Sequence, residues 1–287
     1  MPSYFPIFKK KLRLLRMGLS TILGLTPQGF FIPYRYTKEL SLHKKEIAYS
    51  QLEILFTEKE NAFIEHIEVL KQFTEDLRKI GKDNPPQPRW DQDWFPPLDA
   101  AIAYSIVRTY KPELIIEVGS GHSTRFMSRA IEDGLLETKL CCIDPAPRAE
   151  IDGTKATLIN DIIQNTEFSL FKELKSGDIL FVDSSHIIMP GTDVDIFLNH
   201  IFPILPSGVL IQIHDIFLPD NYPEEWTWRG YNEQSALAPL LYGANYEVVF
   251  SSHYVTSRME SLLQTTILRE INNSENNYSS SLWIRKI

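Results

Sequence analysis

Beyond residue 113, short apolar runs alternate with stretches in which apolar residues recur every three or four positions. The runs predict strands near 114–118, 139–143, 156–160, 178–183, 208–213, 246–251 and 281–286. The periodic stretches predict helices near 123–133, 192–202 and 232–242, and a further helix precedes them at 98–110. Because strands that alternate with helices form a parallel sheet covered on both faces, the pattern predicts an α/β fold. A polar stretch joins the last two strands, which are expected to pair antiparallel at the sheet edge.

The first 90 residues show a different pattern. Thr57 and Glu60 have the spacing of a capping box, and apolar residues recur behind them until Gly81. This predicts one amphipathic helix that packs on the main sheet, with a short coiled-coil seam as the alternative. Residues 17–33 predict a short helix followed by a loop. The prolines of residues 85–88 form a stiff linker between a basic and helical extension, residues 1–90, and a main domain, residues 91–287.

Charge separates the front of the chain from the rest. The formal net charge is −8, which disfavours binding to nucleic-acid backbones, yet residues 1–50 hold nine basic and two acidic residues. Leucines among these basic residues suit contact with an anionic membrane or an acidic partner. The alternative is packing on the acidic body of the same chain or of a second subunit in a homo-oligomer. Adjacent Cys141 and Cys142 in an apolar run favour a reducing compartment, so we expect a cytoplasmic location, peripheral to a membrane if the arm binds one.

The strand predicted at 114–118 contains a carboxylate, Glu117, and is followed by Gly119 and Gly121. The glycines lie where a parallel strand turns over its carboxyl edge, and open α/β sheets hold ligands at that edge. A side chain at either glycine would push a ligand off the backbone, and the turn is expected to need positive φ. The motif therefore predicts a nucleotide-like ligand. A dinucleotide oxidoreductase would place a third glycine where Thr124 stands, which makes that alternative less favoured.

Acidic and polar residues follow four of the predicted strands. They are Glu117 to Gly121 at the first strand, Asp144 after the second, Asp183-Ser184-Ser185-His186 after the fourth and His214-Asp215 after the fifth. With these residues in this order, the region from about Trp94 to Ile287 resembles a class I S-adenosylmethionine-dependent methyltransferase. Within that family it is most similar to small-molecule O-methyltransferase branches related to macrocin O-methyltransferase and to cephalosporin-hydroxylase-like proteins. The resemblance implies a Rossmann-like sheet of seven strands, mostly parallel, with an antiparallel last strand.

The resemblance implies S-adenosylmethionine as the cofactor. Asp144, 27 positions beyond Glu117, is expected to accept hydrogen bonds from both ribose hydroxyls. By resemblance, Glu117 lies near the amino-acid tail and Asp161 near the adenine, while the alternative for Asp161 is a helix N-cap. The predicted cofactor-binding residues are Glu117, Gly119, Ser120, Gly121, Ser123, Asp144, Asp161, Asp183 and Ser184.

The acceptor side is predicted at the ends of the fourth and fifth strands, where Asp183 and Asp215 should converge near two histidines. By resemblance, a divalent metal would be held by Asp183 and the pair His214-Asp215. One imidazole replaces a carboxylate of that pair, which favours manganese, iron or zinc over magnesium. Two roles are possible for this group: either His186 or His214 is the general base, or a bound metal acidifies the acceptor hydroxyl. A third hypothesis is that His214 only forms a hydrogen bond with a neighbouring loop. The predicted catalytic residues are His186, His214 and Asp215.

The predicted function is methyl transfer from S-adenosylmethionine to a small-molecule acceptor, at a hydroxyl oxygen. Residues 217–228 are expected to form a lid or a surface crossover, and residues 232–234 a polar substrate contact. Three large aromatic residues border the pocket or anchor the core: Trp90, Trp94 and Phe95. Two alternatives stay open. One is a non-catalytic protein that keeps the cofactor fold and is recruited to a membrane or partner by its basic arm, and the other is an NAD-dependent oxidoreductase.

Overall fold

The computed structural model describes residues 4–39, 49–81, 84–271 and 278–287. Internal contacts divide the chain into two compact units, residues 1–45 and 46–287. The first unit contains helix α1, Tyr4–Ile22, and a short 3-10 helix, Thr37–Glu39. The helix predicted within residues 17–33 is followed by a loop, but it begins at Tyr4 and therefore includes the basic run. Within the described residues, no helix combines the length and the apolar character needed to cross a bilayer.

The second unit is built on one seven-stranded sheet. Its strands are β1 (Leu114–Val118), β2 (Lys139–Ile143), β3 (Ala156–Ile159), β4 (Ile179–Val182), β5 (Leu210–Ile213), β6 (Tyr246–Ser251) and β7 (Leu282–Lys286). Their order across the sheet is β3-β2-β1-β4-β5-β7-β6. The strands from β3 to β5 are parallel, whereas β7 is antiparallel to both β5 and β6. The predicted Rossmann-like sheet with an antiparallel last strand is confirmed.

Helices flank this sheet. They are α2 (Ser50–Glu58), α3 (Glu60–Lys71), α4 (Thr74–Lys79), α5 (Pro97–Tyr110), α6 (His122–Asp133), α7 (Asp193–Ile196), α8 (Glu233–Tyr242), α9 (Ser252–Arg258) and α10 (Leu268–Ile271). The helix predicted at 192–202 is α-helical only in α7 and continues as a π-helix, Phe197–Ile201, and a 3-10 helix, Phe202–Ile204. The other helices predicted beyond residue 97 lie within about one residue of their expected bounds.

The last two strands pair as expected, but the sheet edge is β6 because β7 lies between β5 and β6. This interior position explains the continuous apolar run of Leu282, Trp283 and Ile284, which are all fully buried. The connection between the two strands is not only polar. It contains α9, a 3-10 helix from Glu260 to Thr265, and α10.

The single helix predicted from residue 57 to 81 is wrong in its start and its continuity, because three helices cover this region. Thr57 lies inside α2, where its hydroxyl donates to the carbonyl of Glu53 at 2.8 Å. A hydroxyl bonded to the preceding turn does not cap a new helix, and Lys59 is the N-cap of α3. The apolar positions were nevertheless identified correctly. Five are buried and Phe73 is partly buried: Phe63, Ile67, Leu70, Leu77 and Ile80.

These front helices pack on the sheet through aromatic contacts. The ring of Phe63 in α3 lies 5.7 Å from that of Phe250 in β6, and the ring of Phe56 in α2 lies 5.7 Å from that of Tyr254 in α9. Edge-on ring pairs at this distance add to the free energy gained from burial. Helices α2 and α3 therefore share one core with the sheet.

Candidate active site

The glycine turn after β1 lies against the turn after β4. Gly119 has a φ of +83°, and a Cβ built on it would lie 1.9 Å from the backbone oxygen of Asp183. The amide of Asp183 donates to the carbonyl of Val118 at 2.9 Å, which fixes this approach. Glycine is required at 119 so that two strand ends can meet. The positive φ expected for this turn is present. The contact that excludes a side chain, however, is with the protein's own backbone, whereas a contact with a ligand was expected from the sequence.

Glu117 is fully buried beneath this turn. The hydroxyls of Ser123 and Thr124 each donate to one of its carboxylate oxygens at 2.5 Å, and the thiol of Cys142 donates at 3.1 Å. Burial raises the pKa of Glu117, and although these hydrogen bonds lower it in part, the result is about 7. Glu117 and Ser123 thus tie α6 to β1. The side chain of Glu117 is fully buried, and its placement near the amino-acid tail stays a prediction.

Replacing Glu117 by Gln is expected to change how stability depends on pH. The pKa of Glu117 is raised from 4.5 to about 7 in the folded protein, so the folded state holds a proton that the unfolded state has lost. The free energy of unfolding should therefore fall as pH rises through this interval, by on the order of 3 kcal/mol. Denaturant titrations at acidic and neutral pH measure this loss, which Glu117→Gln should lack. The same pH dependence in both proteins would contradict the assignment.

Asp144 follows β2 and holds the glycine turn from the other side. Its Oδ2 accepts from the amide of Ser120 at 2.6 Å and from the Ser120 hydroxyl at 3.1 Å, while its Oδ1 accepts from the amide of Ala146 at 2.7 Å. Oδ1 keeps capacity for a further hydrogen bond. Asp144 is therefore fixed beside the predicted cofactor turn.

Thr124 occupies the position of the third glycine in a dinucleotide fingerprint. Its hydroxyl accepts from the amide of Gly121 at 2.9 Å and donates to Glu117. The side chain thus satisfies a backbone donor at the start of α6, a position where the fingerprint requires a glycine for close packing. This use of Thr124 disfavours the NAD-dependent oxidoreductase.

Asp161 lies just before a short 3-10 helix, Ile163–Asn165. Its Oδ1 accepts from the amide of Ile162 at 2.7 Å and from the side-chain amide of Asn165 at 2.8 Å. The N-cap of this helix is Ile162, without a side-chain capping bond, so Asp161 is not its N-cap. The side chain of Asp161 is exposed, and its placement near adenine stays a prediction.

Four carboxylates and two imidazoles meet at the ends of β4 and β5. This acid–histidine cluster comprises Asp99, Asp183, Asp215, Glu233, His186 and His214. At its centre, Nε2 of His186 lies 3.3 Å from Oδ1 of Asp183 and 3.4 Å from Oδ2 of Asp215, while its Nδ1 lies 2.9 Å from Oε2 of Glu233. The structure thus brings together the acids and histidines that were predicted to converge.

The surroundings of His186 favour the charged form of its ring. Burial alone would lower its pKa, but hydrogen bonds to Asp183 and Glu233 and the charge of Asp215 hold that pKa well above its usual range. A protonated ring cannot take a proton from a hydroxyl, so this environment disfavours His186 as the general base, and its catalytic role stays a prediction. Its contacts make it the residue that holds the three carboxylates together.

His214 is buried between Phe95 and the acids. The two rings lie 5.6 Å apart, and Nδ1 of His214 lies 3.4 Å from Asp215 while its Nε2 lies 3.5 Å from Asp99. Burial lowers the pKa of His214, but Asp215, Asp99 and Asp183 raise it further, to about 9. The charged form of His214 is therefore also favoured, which argues against His214 as the base, and its catalytic role likewise stays a prediction.

Asp183 is the member of the cluster that reaches the surface. Its side chain is 31% exposed, whereas the other five are at most 11% exposed. Burial raises its pKa, but the hydrogen bond from His186 and the charges of both histidines lower it to about 2. Its neighbour Ser184 is partly buried, and the Ser184 hydroxyl accepts from the amide of His186 at 3.3 Å. Asp183 is thus an ionised carboxylate at the open side of the cluster.

Two residues of the cluster have positive φ, at +61° for His186 and +56° for Asp215. Such conformations cost on the order of 1 kcal/mol each and persist where surrounding contacts enforce them. The amides of Asn232 and Glu233 donate to the carbonyl of His186, at 3.0 and 3.2 Å. The hydroxyl of Ser280 donates to Asp215 at 3.2 Å. The start of α8 and the entry to β7 therefore hold these turns.

Sequence reasoning missed Asp99 and gave Glu233 only a substrate contact. Asp99 lies in the first turn of α5, fully buried, and accepts from the amides of Ser280 at 2.9 Å and Ser281 at 3.1 Å. The sequence does contain a signal, since Asp99 is an acid among the apolar residues at the start of α5. A carboxylate in such a position is buried and needs charged or polar partners. Those partners come from distant parts of the chain, so only the fold identifies them.

The segment predicted to form a lid or a crossover is packed beside the cluster. The ring of Phe217 is buried and lies 5.1 Å from the ring of Trp226, which a 3-10 helix, Glu224–Arg229, carries. Tyr231, just beyond that helix, lies 4.5 Å from the ring of His186. An aromatic layer in contact with the cluster fits the predicted lid better than an inert crossover.

The three aromatic residues before α5 divide between the two roles considered for them. Trp90 and Phe95 pack in the core, with their rings 4.8 Å from Phe126 and 5.7 Å from Phe181 respectively. Trp94 is largely exposed, and the guanidinium of Arg148 lies 4.5 Å above its ring.

The predicted metal ligands lie close together but do not form a metal site as placed. Among the described residues, no group of three or more His, Cys, Asp or Glu side chains has the arrangement to hold an ion. The ring of His186 lies 3.3 Å from Asp183 and 3.4 Å from Asp215, so it already occupies the space between the two carboxylates. A metal at Asp183, His214 and Asp215 stays a prediction. Activity measured after chelation and after readdition of manganese, iron or zinc tests it.

A cavity of about 780 Å³ lies at the opposite edge of the sheet. Its lining includes Leu114, Lys139 and Asp178, at the amino ends of β1, β2 and β4. Open α/β sheets hold ligands outside the carboxyl ends of their strands, and no predicted site residue lines this cavity. We therefore do not assign it to the cofactor.

Comparison with known proteins identifies one domain within the chain. A family model described as a methyltransferase domain matches residues 116–216, from β1 to just beyond β5. No curated protein matches the chain.

Three solved structures illustrate the likeness to known folds. The SAH-bound methyltransferase PaMTH1 of Podospora anserina is 17% identical, with 90% of this chain and 99% of that chain covered and a TM-score of 0.41. The plantazolicin methyltransferase BpumL, with a triazolic desmethylPZN analog and SAH, is 16% identical, with 78% and 98% covered and a TM-score of 0.43. The protein CmcI with Mg and SAM is 13% identical, with 74% and 84% covered and a TM-score of 0.42.

Proposed function

We propose that this chain, which carries a class I S-adenosylmethionine-dependent methyltransferase domain, transfers the methyl group to a hydroxyl oxygen of a small molecule. The observation that carries the oxygen acceptor is the acid–histidine cluster at the carboxyl ends of β4 and β5. Its one open carboxylate, Asp183, lies beside the glycine turn after β1. Because Asp183 is the most exposed carboxylate of the cluster, an acceptor molecule at this edge of the sheet would contact Asp183 before the other acids.

Asp183 is the proposed proton acceptor. S-adenosylmethionine supplies an electrophilic methyl group when it is bound. The carboxylate of Asp183 accepts a hydrogen bond from the acceptor hydroxyl and takes its proton as that oxygen is alkylated. With a pKa of about 2, Asp183 is a weak base. A weak base is sufficient because the hydroxyl proton becomes strongly acidic as the oxygen gains its new bond.

The two imidazolium rings act through the carboxylates. His186 bonds Asp183 and Glu233, and His214 lies against Asp99 and Asp215, so each positive ring lies between negative groups. This alternation keeps Asp183 ionised and fixed in position. Rigid placement of a base reduces the entropic cost of reaching the transition state.

The turns after β1 and β2 are the proposed cofactor site. Asp144 keeps acceptor capacity on Oδ1 for a ribose hydroxyl, and the backbone of Ser120 and Gly121 forms the adjoining turn. Glu117, Ser123 and Thr124 act as positioning residues, because their hydrogen bonds fix the start of α6. Ser184 joins this site at the turn after β4.

Calorimetry with S-adenosylmethionine, S-adenosylhomocysteine and NAD tests the cofactor. We expect binding of the first two and none of NAD; tight NAD binding without a response to the sulfonium compound would reverse the choice. Untargeted mass spectrometry of metabolites incubated with the protein and S-adenosylmethionine then tests transfer, by a methyl gain on an oxygen. Cofactor binding with no methylated product from any extract would favour the non-catalytic protein instead.

A further inference from the structure

Helix α1 has an exposed apolar face. Leu12, Leu15, Leu19 and Ile22 follow one another at steps of three, four and three residues, so they share one side of the helix. Their exposed fractions are 56, 58, 48 and 59% respectively. A row of leucines this exposed is typical of a surface that meets another apolar phase.

Basic residues lie on the remaining sides of the helix, together with Leu14 and Met17. At 100° per residue, Arg13 falls on the side away from the leucines, while Lys9 and Arg16 border the apolar face on one side and Lys11 borders it on the other. All four side chains are exposed. The sequence of α1 contains no acidic residue.

The loop after α1 extends the apolar surface. Five of its large hydrophobic residues are between 59 and 74% exposed: Leu23, Leu25, Phe30, Phe31 and Ile32. The first acidic residue of the chain is Glu39, so the apolar and basic character is continuous from α1 through this loop.

We propose that α1 and this loop bind the surface of an anionic lipid bilayer, with the helix axis in the plane of the interface. The leucines of one face enter the acyl boundary, and Lys11 and Arg16 extend their charges back to the headgroups from the two borders of that face. A second copy of the chain fits less well, because two such helices would bring their basic residues together without acidic partners.

Vesicle co-sedimentation of the full chain tests the proposal, with phosphatidylcholine alone and with phosphatidylcholine containing phosphatidylglycerol. We expect binding to the anionic vesicles that weakens as salt is raised, and much weaker binding to the neutral ones. Since each basic residue near an anionic surface contributes about fivefold to the partition coefficient, Lys11→Gln with Arg16→Gln should lower it about 25-fold. Leu12→Gln with Leu19→Gln should lower binding to both kinds of vesicle.

Matched controls come from the sheet-containing unit. Leu135 is also an exposed leucine, and Lys139 and Lys172 are exposed basic residues, so Leu135→Gln and the pair Lys139→Gln with Lys172→Gln should bind as the unaltered chain does. Equal binding to neutral and anionic vesicles, or controls as weak as the α1 variants, would overturn the proposal. The proposal would also be overturned if the unaltered chain stayed in the supernatant with both kinds of vesicle. Sedimentation velocity would then show whether the chain is monomeric or self-associates through α1.

Discussion

Replacing Gly119 by Ala is expected to abolish S-adenosylhomocysteine binding and to lower the free energy of unfolding by at least about 3 kcal/mol. The added Cβ would lie 1.9 Å from the backbone oxygen of Asp183, and the φ of +83° is itself unfavourable for alanine. Neither turn can yield cheaply, because the amide of Asp183 is bonded to Val118. Calorimetric titration and thermal unfolding measure the two effects, and the melting temperature should fall by roughly 10 °C.

Gly177 provides the matched control. It has a similar φ, +90°, but a Cβ built on it meets no atom within 4 Å. Gly177→Ala should therefore show only the backbone cost, about 1 kcal/mol, and should keep its affinity for S-adenosylhomocysteine. Equal losses in the two variants would mean that the contact with Asp183 does not matter, and the account of the glycine turn would be withdrawn.

The sheet could be predicted because its strands are buried on both faces. A continuous apolar run such as Ile179–Val182, with an aspartate on each side, is typical of a strand buried on both faces. The position of β7 could not be predicted in the same way. Its run of Leu282, Trp283 and Ile284 shows burial but does not say which strands it lies between.

The front helices show where periodicity is not enough. Phe63, Ile67 and Leu70 repeat at helical steps, and the same repeat continues through Leu77 even though the helix breaks between α3 and α4. Consecutive helices that pack on the same surface all turn their apolar residues toward it. The spacing of apolar residues therefore stays nearly helical across a break and does not reveal where one helix ends. Thr57 has the sequence spacing of an N-cap, but its hydroxyl donates to the carbonyl of Glu53 in the preceding turn, and this hydrogen bond cannot be inferred from the sequence.

The acids at the strand ends could be predicted from the sequence, because parallel strands bring their carboxyl ends to the same edge of the sheet. Their chemistry was harder to predict, since a pKa depends on every charged neighbour. From the sequence, only Asp183 and Asp215 are expected near His186, whereas the fold adds a third carboxylate, Glu233, from α8. Three carboxylates around one imidazole favour the protonated ring, which argues against His186 as the base.

Asp183→Asn is expected to lower kcat by about 10²- to 10⁴-fold, because the amide cannot take the acceptor proton. S-adenosylhomocysteine should still bind, since the substitution preserves the shape of the side chain. The exposed Asp152 gives a matched control, and Asp152→Asn should leave kcat unchanged. Full activity of Asp183→Asn would remove Asp183 from the mechanism.

The pH dependence of kcat separates Asp183 from the two histidines as the base. A base must be unprotonated, and with a pKa of about 2, Asp183 is ionised throughout weakly acidic and neutral pH, so kcat should stay level there. If His214 were the base, its pKa of about 9 would make kcat rise tenfold per pH unit through the neutral range. A steep rise toward alkaline pH would therefore assign the proton to an imidazole. A level profile with an inactive Asp183→Asn variant would assign it to the carboxylate that the two imidazolium rings hold in place.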